Sequence, residues 1–290
     1  MTHLPLAELA QRLKGELHYD STMRTLYATD ASAYREMPQA VAIPKDIDDL
    51  KTLIAFAREH HTSLIPRTAG TSLAGQVVGN GIIVDVSRTF TKILEINAEE
   101  RWVRVQPGVV RDELNMALKP YGLYFGPETS TANRAMIGGM VGNNSCGSNS
   151  VVYGSTREHL LEVKALLSDG SEATFSPLTP DGGTLLSPIG RYVAQGLEGA
   201  IPSSGSLGFA IPTREYSDLQ SEIYNKTFEI LSNPENQAEI RKNFPKKSVE
   251  RRNTGYALDI LLDSAPFGGE GAFNMCKLIA GSEGTLCFLT

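Results

Sequence analysis

Pro66-Arg67-Thr68-Ala69-Gly70-Thr71-Ser72-Leu73-Ala74-Gly75-Gln76 is a run of small and hydroxyl-bearing residues with little bulk. Gly70 and Gly75 permit backbone angles closed to other residues and let a ligand come close. Successive N–H groups in such a loop form a concave nest for anions. Thr68, Thr71 and Ser72 add hydroxyl donors. The chemistry that suits this composition is a phosphate cradle. It is not a P-loop, which needs Gly-Lys-Ser/Thr opening a helix; there is no lysine here, and a strand pattern follows. The G-x-G-x-x-G spacing of dinucleotide folds is absent too. A glycine-containing hairpin loop that binds nothing is the alternative reading of this run alone.

Two further stretches have the same character. The first opens at Phe125-Gly126-Pro127-Glu128-Thr129-Ser130 and closes at Tyr153-Gly154-Ser155-Thr156. Inside it lies Ile137-Gly138-Gly139-Met140-Val141-Gly142-Asn143-Asn144-Ser145-Cys146-Gly147-Ser148. So much Gly, Ser and Asn leaves little side chain to fill a core. It suits backbone laid against a flat ligand, with N–H and amide groups aimed at it. A long flexible loop is the alternative, but loops longer than about 12–15 residues in compact domains are usually functional. The second is Gly281-Ser282-Glu283-Gly284-Thr285, near the end of the 290 residues.

The elements around these loops can be read from periodicity. Leu6, Leu9, Ala10 and Leu13 mark a first helix, with Gly15 placed to end it at C′. Val41-Ala42-Ile43 is a strand closed by Pro44. Asp46 caps a helix with Asp49 in its first turn, and Leu50, Leu53, Ile54 and Ala57 line its buried face. Ser63-Leu64-Ile65 returns as a strand straight into the cradle, where open α/β sheets tend to bind ligands. Further strands are read at 82–84, 92–96 and 101–105, the last two as a hairpin. A helix follows from about Val110, with Leu114, Ala117, Leu118 and Tyr121 on one face and Gly122 at its C′. Strands at 160–167 and 172–175 flank the turn Ser168-Asp169-Gly170. From 176 to about 214 the chain is rich in Pro, Gly and Ser and reads as an irregular excursion. Leu219, Ile223 and Ile230 mark a helix, and Asn233-Pro234 cap and start another. Lys246, Lys247, Arg251 and Arg252 read as a solvated basic face. Short alternating segments favour α+β over a regular parallel sheet.

Composition narrows the class. Hydrophobic content of 41% and charged content of 21% are those of an ordinary globular chain. A net charge of −6 argues against nucleic acid as the main partner. No stretch approaches the roughly 20 apolar residues of a membrane span, and no secretory leader is visible. Cys146, Cys276 and Cys287 fit free thiols in a reducing compartment, not a disulfide framework or zinc site. The five histidines show no metal-ligand spacing.

Taken together, the three loops resemble the FAD-binding domain of the vanillyl-alcohol-oxidase and p-cresol-methylhydroxylase family. The likeness is to its D-lactate dehydrogenase, glycolate oxidase and D-2-hydroxyglutarate dehydrogenase branch. It covers about 38–175 and 249–290, and not 176–214. It implies a two-lobed α+β fold of the p-cresol-methylhydroxylase type with FAD at the lobe interface. Lobe 1 would span about 1–90 and lobe 2 about 91–290, with an irregular and helical insertion at about 176–248. It implies that Arg67, Thr68, Ala69, Gly70, Thr71, Ser72, Gly75 and Gln76 wrap the pyrophosphate. Pro127, Glu128, Thr129, Ser130, Gly138 and Gly139 would line the flavin and ribityl. Asn143, Ser145, Cys146, Gly147, Ser148 and Thr156 continue that wall, and Gly281, Ser282, Glu283, Gly284 and Thr285 close the other side. The family usually has glycines where Thr68 and Ala69 stand, a departure that implies a tighter or shifted pyrophosphate fit. No His lies in the first loop and Cys146 follows the double glycine, so the FAD is expected to be non-covalent.

The resemblance also implies the chemistry: hydride moves from C2 of a small 2-hydroxy acid to flavin N5 while a base takes the hydroxyl proton. In the family the carboxylate-binding Arg and catalytic His lie on a cap domain after the Gly-Ser-Glu-Gly-Thr loop. The expectation is therefore the FAD-binding part of a longer enzyme. An iron–sulfur cluster is implied only for a part C-terminal to this chain. Within 1–290 the candidate bases are Glu128, Glu283 and His159, none with a visible partner; the catalytic group is not assigned. The electron acceptor is not named either, and the compartment implied is the cytoplasm, where the enzyme can sit peripheral to the inner membrane. A flavin reductase of cell-wall precursor synthesis and a non-catalytic electron-transfer module are the competing readings.

Overall fold

The computed structural model describes residues 4–178, 217–249, 252 and 254–290. The excursion is described only to 178; the rest of it, with Arg251 and Asn253, lies outside the described residues. The first helix, α1, is Leu6–Arg12. It does not end on a glycine cap. Leu13 is already extended, and the short strand β1, Glu16–His18, follows. Gly15 is needed for a different reason: a Cβ there would lie 2.2 Å from the Ile43 carbonyl oxygen of the neighbouring strand. Neither β1 nor the next helix, α2 (Ser21–Leu26), is visible in the periodicity. The strand is three residues long, and α2 buries none of its residues.

The first sheet then forms around a β-α-β unit. Strand β2 (Ala40–Ile43) is wholly buried, and α3 (Ile47–Glu59) is capped by the Asp46 carboxylate, which accepts from the Asp49 N–H. Asp49 does more than complement the helix end. It is buried and accepts from the backbone N–H groups of Lys14, Gly15 and Lys45, pinning the α1–β1 connection to α3. Strands β3 (Leu64–Arg67) and β4 (Ile82–Asp85) complete a sheet of order β1-β2-β4-β3, in which β2, β4 and β3 run parallel. β3 runs on through Pro66 to Arg67, a residue or two beyond the sequence-based end. Proline is tolerated because β3 is the edge strand.

Strands β5 (Ile93–Asn97) and β6 (Trp102–Val105) form the expected hairpin. Helix α4 (Arg111–Leu118) passes into a 3₁₀ turn that ends on Gly122 at φ 68°. Tyr121 lies in that turn and is exposed, not on the buried face. Three short helices follow in the second glycine-rich stretch: α5 (Ile137–Asn143), α6 (Ser150–Tyr153) and α7 (Thr156–His159). Strands β7 (Val163–Leu166) and β8 (Glu172–Phe175) are the second hairpin.

Helix α9 (Pro234–Asn243) takes the expected Asn233 cap, and α8 (Asp218–Ser232) is capped by Ser217, which its periodicity did not mark. They are not an ornament on the fold. Tyr224, Leu231 and Ile240 enter one core cluster with Phe175 of β8 and Phe273, though Ile230 is exposed. Helix α10 (Leu258–Leu262) joins the same core. Arg252 is not part of a solvated face, because its guanidinium pairs with Asp259 at a largely buried position. Lys247 pairs with Asp263. Helix α11 (Cys276–Ile279) leads through the Gly281 loop into β9 (Phe288–Leu289), which adds to β7 in the sheet β8-β7-β9. Phe288 and Leu166 pack into the core of the first sheet, so β7 and β9 join the two halves. No helix among the described residues is long and apolar enough to cross a membrane.

Candidate FAD-binding site

Strand β3 delivers the cradle. Beyond Arg67 the chain leaves the sheet, and the N–H groups of residues 69–73 donate to no protein group among the described residues. Ala74 and Gln76 N–H instead reach Ser72 Oγ, which tightens the loop from within. Gly70 sits at φ 67° and Gly75 at φ 72°, in the left-handed region. Where Gly70 to Leu73 line the cavity their N–H groups are therefore unspent, the kind of nest that suits phosphate oxygens.

Arg67 is the prop under this loop. Its guanidinium donates to the carbonyls of Thr29 (2.9 Å) and Tyr27 (3.4 Å) and lies 5.0 Å from the Tyr27 ring centroid. Tyr27 in turn donates its hydroxyl to Asp85 Oδ2 at 2.6 Å. Burial pulls the Arg67 guanidinium below its ordinary value, and Asp85, Tyr27 and Asp30 oppose that pull. It stays charged, because arginine does not lose its proton in proteins. Burial first, and then the bond to Asp85, push the Tyr27 hydroxyl up to about 12. In the unfolded chain it would ionise near ~10. Its contribution to stability is therefore present in full below that value and is lost as pH rises through about 12. Tyr27→Phe keeps the ring, costs ~1 kcal/mol at neutral pH, and removes this share of the alkaline loss. Urea melts at about pH 8 and about pH 11 check it: the wild-type advantage over the variant should shrink at the higher pH.

The cradle opens on a cavity of about 610 Å³, within the range of small-molecule and cofactor sites. The structure brings together on its wall Arg67, Thr68, Gly70, Thr71, Ser72 and Gln76 from the first loop. Thr129, Ser130, Gly138, Gly139, Asn143, Ser145 and Cys146 come from the second, and Ser282, Glu283 and Gly284 from the third. Gln76 ties all three: its Nε2 donates to Asn143 Oδ1 at 2.9 Å and to Glu283 Oε1 at 2.7 Å.

The remaining candidates do not line the wall but stand behind it. Gly75 packs against the Tyr34 ring, and the Pro127 carbonyl accepts from Arg111 Nε. Glu128 accepts from Asn149 Nδ2 at 2.6 Å, with the Ser148 hydroxyl at 3.4 Å. Gly147 leaves room for the Glu128 carbonyl. Thr156 turns its hydroxyl to the Ser145 carbonyl, and Gly281 faces Arg157. Thr285 bonds the Ser282 carbonyl and the Tyr256 hydroxyl. Ala69 also stands off the cavity.

Several lining residues carry no motif signal. Thr131, Arg134, Ala135 and Met136 extend the second wall, and Cys287, Phe288 and Leu289 come from β9 and its approach. The one hint was the position of 131–136 between two glycine-rich segments. Arg134 lines the cavity and is exposed; its guanidinium donates to Asn133 Oδ1 and has no ion-pair partner among the described residues. Burial pushes the Cys287 thiol up to about 12, so it stays protonated and poorly nucleophilic near neutral pH.

The fit to FAD can be judged on this geometry. Residues 70–73, on the wall, offer unspent N–H donors for a pyrophosphate. Gly138 and Gly139 leave α5 bare: a Cβ on Gly139 would lie 2.6 Å from Thr68 Oγ1. The wall is apolar elsewhere, with Val86, Met140, Ile279 and Phe288. A flat, extended, doubly charged cofactor suits such a wall. No His/Cys/Asp/Glu group among the described residues could hold a metal ion.

Comparison with known proteins agrees. Residues 38–176 match a family model described as FAD binding domain. The chain is 39% identical over 280 residues to the D-2-hydroxyglutarate dehydrogenase of Pseudomonas putida, covering 95% of this chain and 24% of that protein. To the Escherichia coli enzyme of the same name it is 36% identical over 289 residues, covering 98% and 25%. To glycolate oxidase subunit GlcD of Bacillus subtilis it is 30% identical over 187 residues, covering 64% and 38%. The solved structure of Physcomitrella patens BBE-like 1 shares the fold, with a TM-score of 0.51 at 18% identity over 59% of this chain and 37% of that one. The chain thus spans about a quarter of the length of the dehydrogenases it matches. From the matched model and the relatives, the chain carries, at residues 38–176, the FAD binding domain of the FAD-linked oxidases of the vanillyl-alcohol-oxidase and p-cresol-methylhydroxylase type.

Proposed function

We propose that this chain is the FAD-binding part of an enzyme that oxidises a D-2-hydroxy acid. The observation that carries the reading is the cavity wall built from three distant loops, with unspent backbone donors at 69–73 on one side and bare glycines on the other. Its likeness to D-2-hydroxyglutarate dehydrogenases along nearly its whole length supports the substrate class. Distinct core clusters under the first sheet and around α8–α10, the first joined by Leu166 and Phe288, support two lobes of about 1–90 and about 91–290.

In this reading the 69–73 donors with Thr68, Thr71 and Ser72 hold the pyrophosphate, and Arg134 adds charge at the rim. Thr129, Ser130, Gly138 and Gly139 bound the ring side, and Ser282 to Gly284 close it. When bound, FAD supplies the hydride acceptor for the substrate C2–H. The chain's own part is to bind, orient and keep water from the cofactor. No histidine lines the cavity, which supports an FAD held without a histidyl link. Three cysteines outside any disulfide among the described residues support the cytoplasm as its compartment.

Thermal melts with FAD, NAD and ATP test the cofactor. FAD at a hundredfold its Kd should add ~2.7 kcal/mol, a rise of roughly 5–10 °C in Tm. Acid precipitation should then release the flavin into the supernatant. Stabilisation by ATP and not by FAD would sink the reading. For the longer enzyme, anaerobic bleaching of the flavin by D-2-hydroxyglutarate or D-lactate supports it; bleaching by NADPH alone points to the reductase instead.

A further inference from the structure

The Gly281 loop is a wall of the cavity, yet it is held from behind by a residue that lines nothing. Arg157, in α7, is 1% exposed. Its guanidinium has no carboxylate within ion-pair distance among the described residues. Instead, Nη2 donates to the carbonyls of Thr254 (3.0 Å), Gly255 (2.8 Å) and Ala280 (2.6 Å), which belong to two separate segments. A buried guanidinium held only by carbonyls is costly to desolvate, so its partners are not interchangeable with water.

The arrangement is reciprocal. Ala280 is the C-cap of α11, so Arg157 caps that helix. Lys277, on α11, donates its Nζ to the carbonyls of Arg157 (2.8 Å) and Leu160 (3.3 Å) at the end of α7. Each short helix supplies the cation for the other's negative end. The residue after Ala280 is Gly281, at φ 89°, where a Cβ would lie 2.6 Å from Arg157 Nη2 and 2.9 Å from the Gly255 carbonyl oxygen. The guanidinium therefore fills the space that a side chain at 281 would need. From there Ser282, Glu283 and Gly284 run directly along the cavity, with Glu283 N–H on the Gly142 carbonyl. On its other side Arg157 donates its backbone N–H to Asn144 Oδ1 at 2.9 Å, and the Ser155 hydroxyl reaches the same oxygen. Asn144 is the C-cap of α5, the helix that carries Gly138, Gly139 and Asn143 into the wall.

We propose that Arg157 is a positioning residue for the cofactor: it sets the spacing between the α5 wall and the 282–284 wall, and so the affinity for FAD. The proposal rests on the FAD reading above. A purely structural arginine would lower the melting temperature and leave the affinity of the folded protein unchanged.

The test uses Arg157→Met and Arg157→Lys, with Leu53→Ala in the first-sheet core as a control that destabilises without touching either wall. FAD affinity is measured by flavin fluorescence at a temperature where circular dichroism shows every variant folded. Amide exchange of 282–285 and of 69–73 is followed on the FAD-free proteins. Arg157→Met should raise the FAD Kd by ~10–100-fold, the loss expected for one or two charge-assisted hydrogen bonds. Arg157→Lys should fall between it and wild type. Exchange at 282–285 should quicken in both, while 69–73 stays as in wild type. Leu53→Ala should lower Tm and leave Kd alone. A wild-type Kd in both Arg157 variants overturns the proposal, as does an equal rise in Leu53→Ala. If Arg157→Met fails to fold, Arg157→Lys decides. If wild type itself binds no FAD, the cofactor reading fails, and the exchange at 282–285 still decides whether Arg157 positions that wall.

Discussion

Gly70→Val is expected to give a folded chain that no longer retains FAD. Gly70 sits at φ 67°, and an added Cβ would meet Arg67 Nη2 at 2.6 Å and Cζ at 2.9 Å. A side chain here restricts the backbone and takes up phosphate space, as a close-approach glycine implies; the structure adds a clash underneath, against the guanidinium that props the loop. Valine therefore acts twice. It is forced into a left-handed conformation that costs an L-residue ~1–2 kcal/mol, and it pushes Arg67 off the Thr29 carbonyl and the Tyr27 ring. Relief comes by rotating the 69–73 backbone, which turns its N–H groups out of the nest. The sheet beneath is spared, since Ile82, Ile83 and Val84 are buried without reference to the loop. A loss of more than ~100-fold in affinity, with Tm lower by roughly 2–8 °C, is the expected result. Gel filtration with flavin absorbance, alongside circular dichroism, checks it. A yellow Gly70→Val protein would contradict the account.

The second expected result is negative. FAD-loaded chain should not be bleached by D-lactate or D-2-hydroxyglutarate under anaerobic conditions. Removing the hydroxyl proton needs a base within hydrogen-bond reach, worth ~10²–10⁴ in rate, and the substrate carbon must be held in place as well. Three candidate bases were read from the sequence as lacking partners; the structure gives each one. Glu128 is bonded to Asn149 and stands off the cavity. His159 has Nε2 on the Tyr153 carbonyl at 2.7 Å and its ring against Phe125, also off the cavity. Glu283 does line it, but its carboxylate accepts from Gln76 in the knot that joins the three loops. On the proposed reading, substrate binding and proton removal are not supplied by 1–290, which span about a quarter of the length of the relatives they match. Bleaching by the isolated chain at a rate within ~10-fold of the longer enzyme would show that the base lies within 1–290.

Much of this molecule was already written in its local sequence. Asp46 and Asn233 cap helices because a short acceptor side chain reaches the N–H groups two or three residues on. Gly122 ends the α4 segment because it adopts the left-handed angle without penalty. The small-residue loops marked the cavity wall for the same local reason: bare backbone leaves room for a ligand. What only the tertiary structure decided is which way those loops face and what holds them. Thr129 and Ser130 turn to the cavity while Pro127 and Glu128 turn away, because Arg111 and Asn149 claim the latter pair. Thr156 looks like one more hydroxyl for the cofactor, yet its partner is the Ser145 carbonyl behind the wall. Gln76 meets Glu283, 207 residues away along the chain, and Arg157 meets Ala280, 123 residues away. Such contacts leave no local pattern. A buried arginine, a glycine excluded by that arginine and an amide shared between loops become necessary only when distant segments have packed and their carbonyls have lost water.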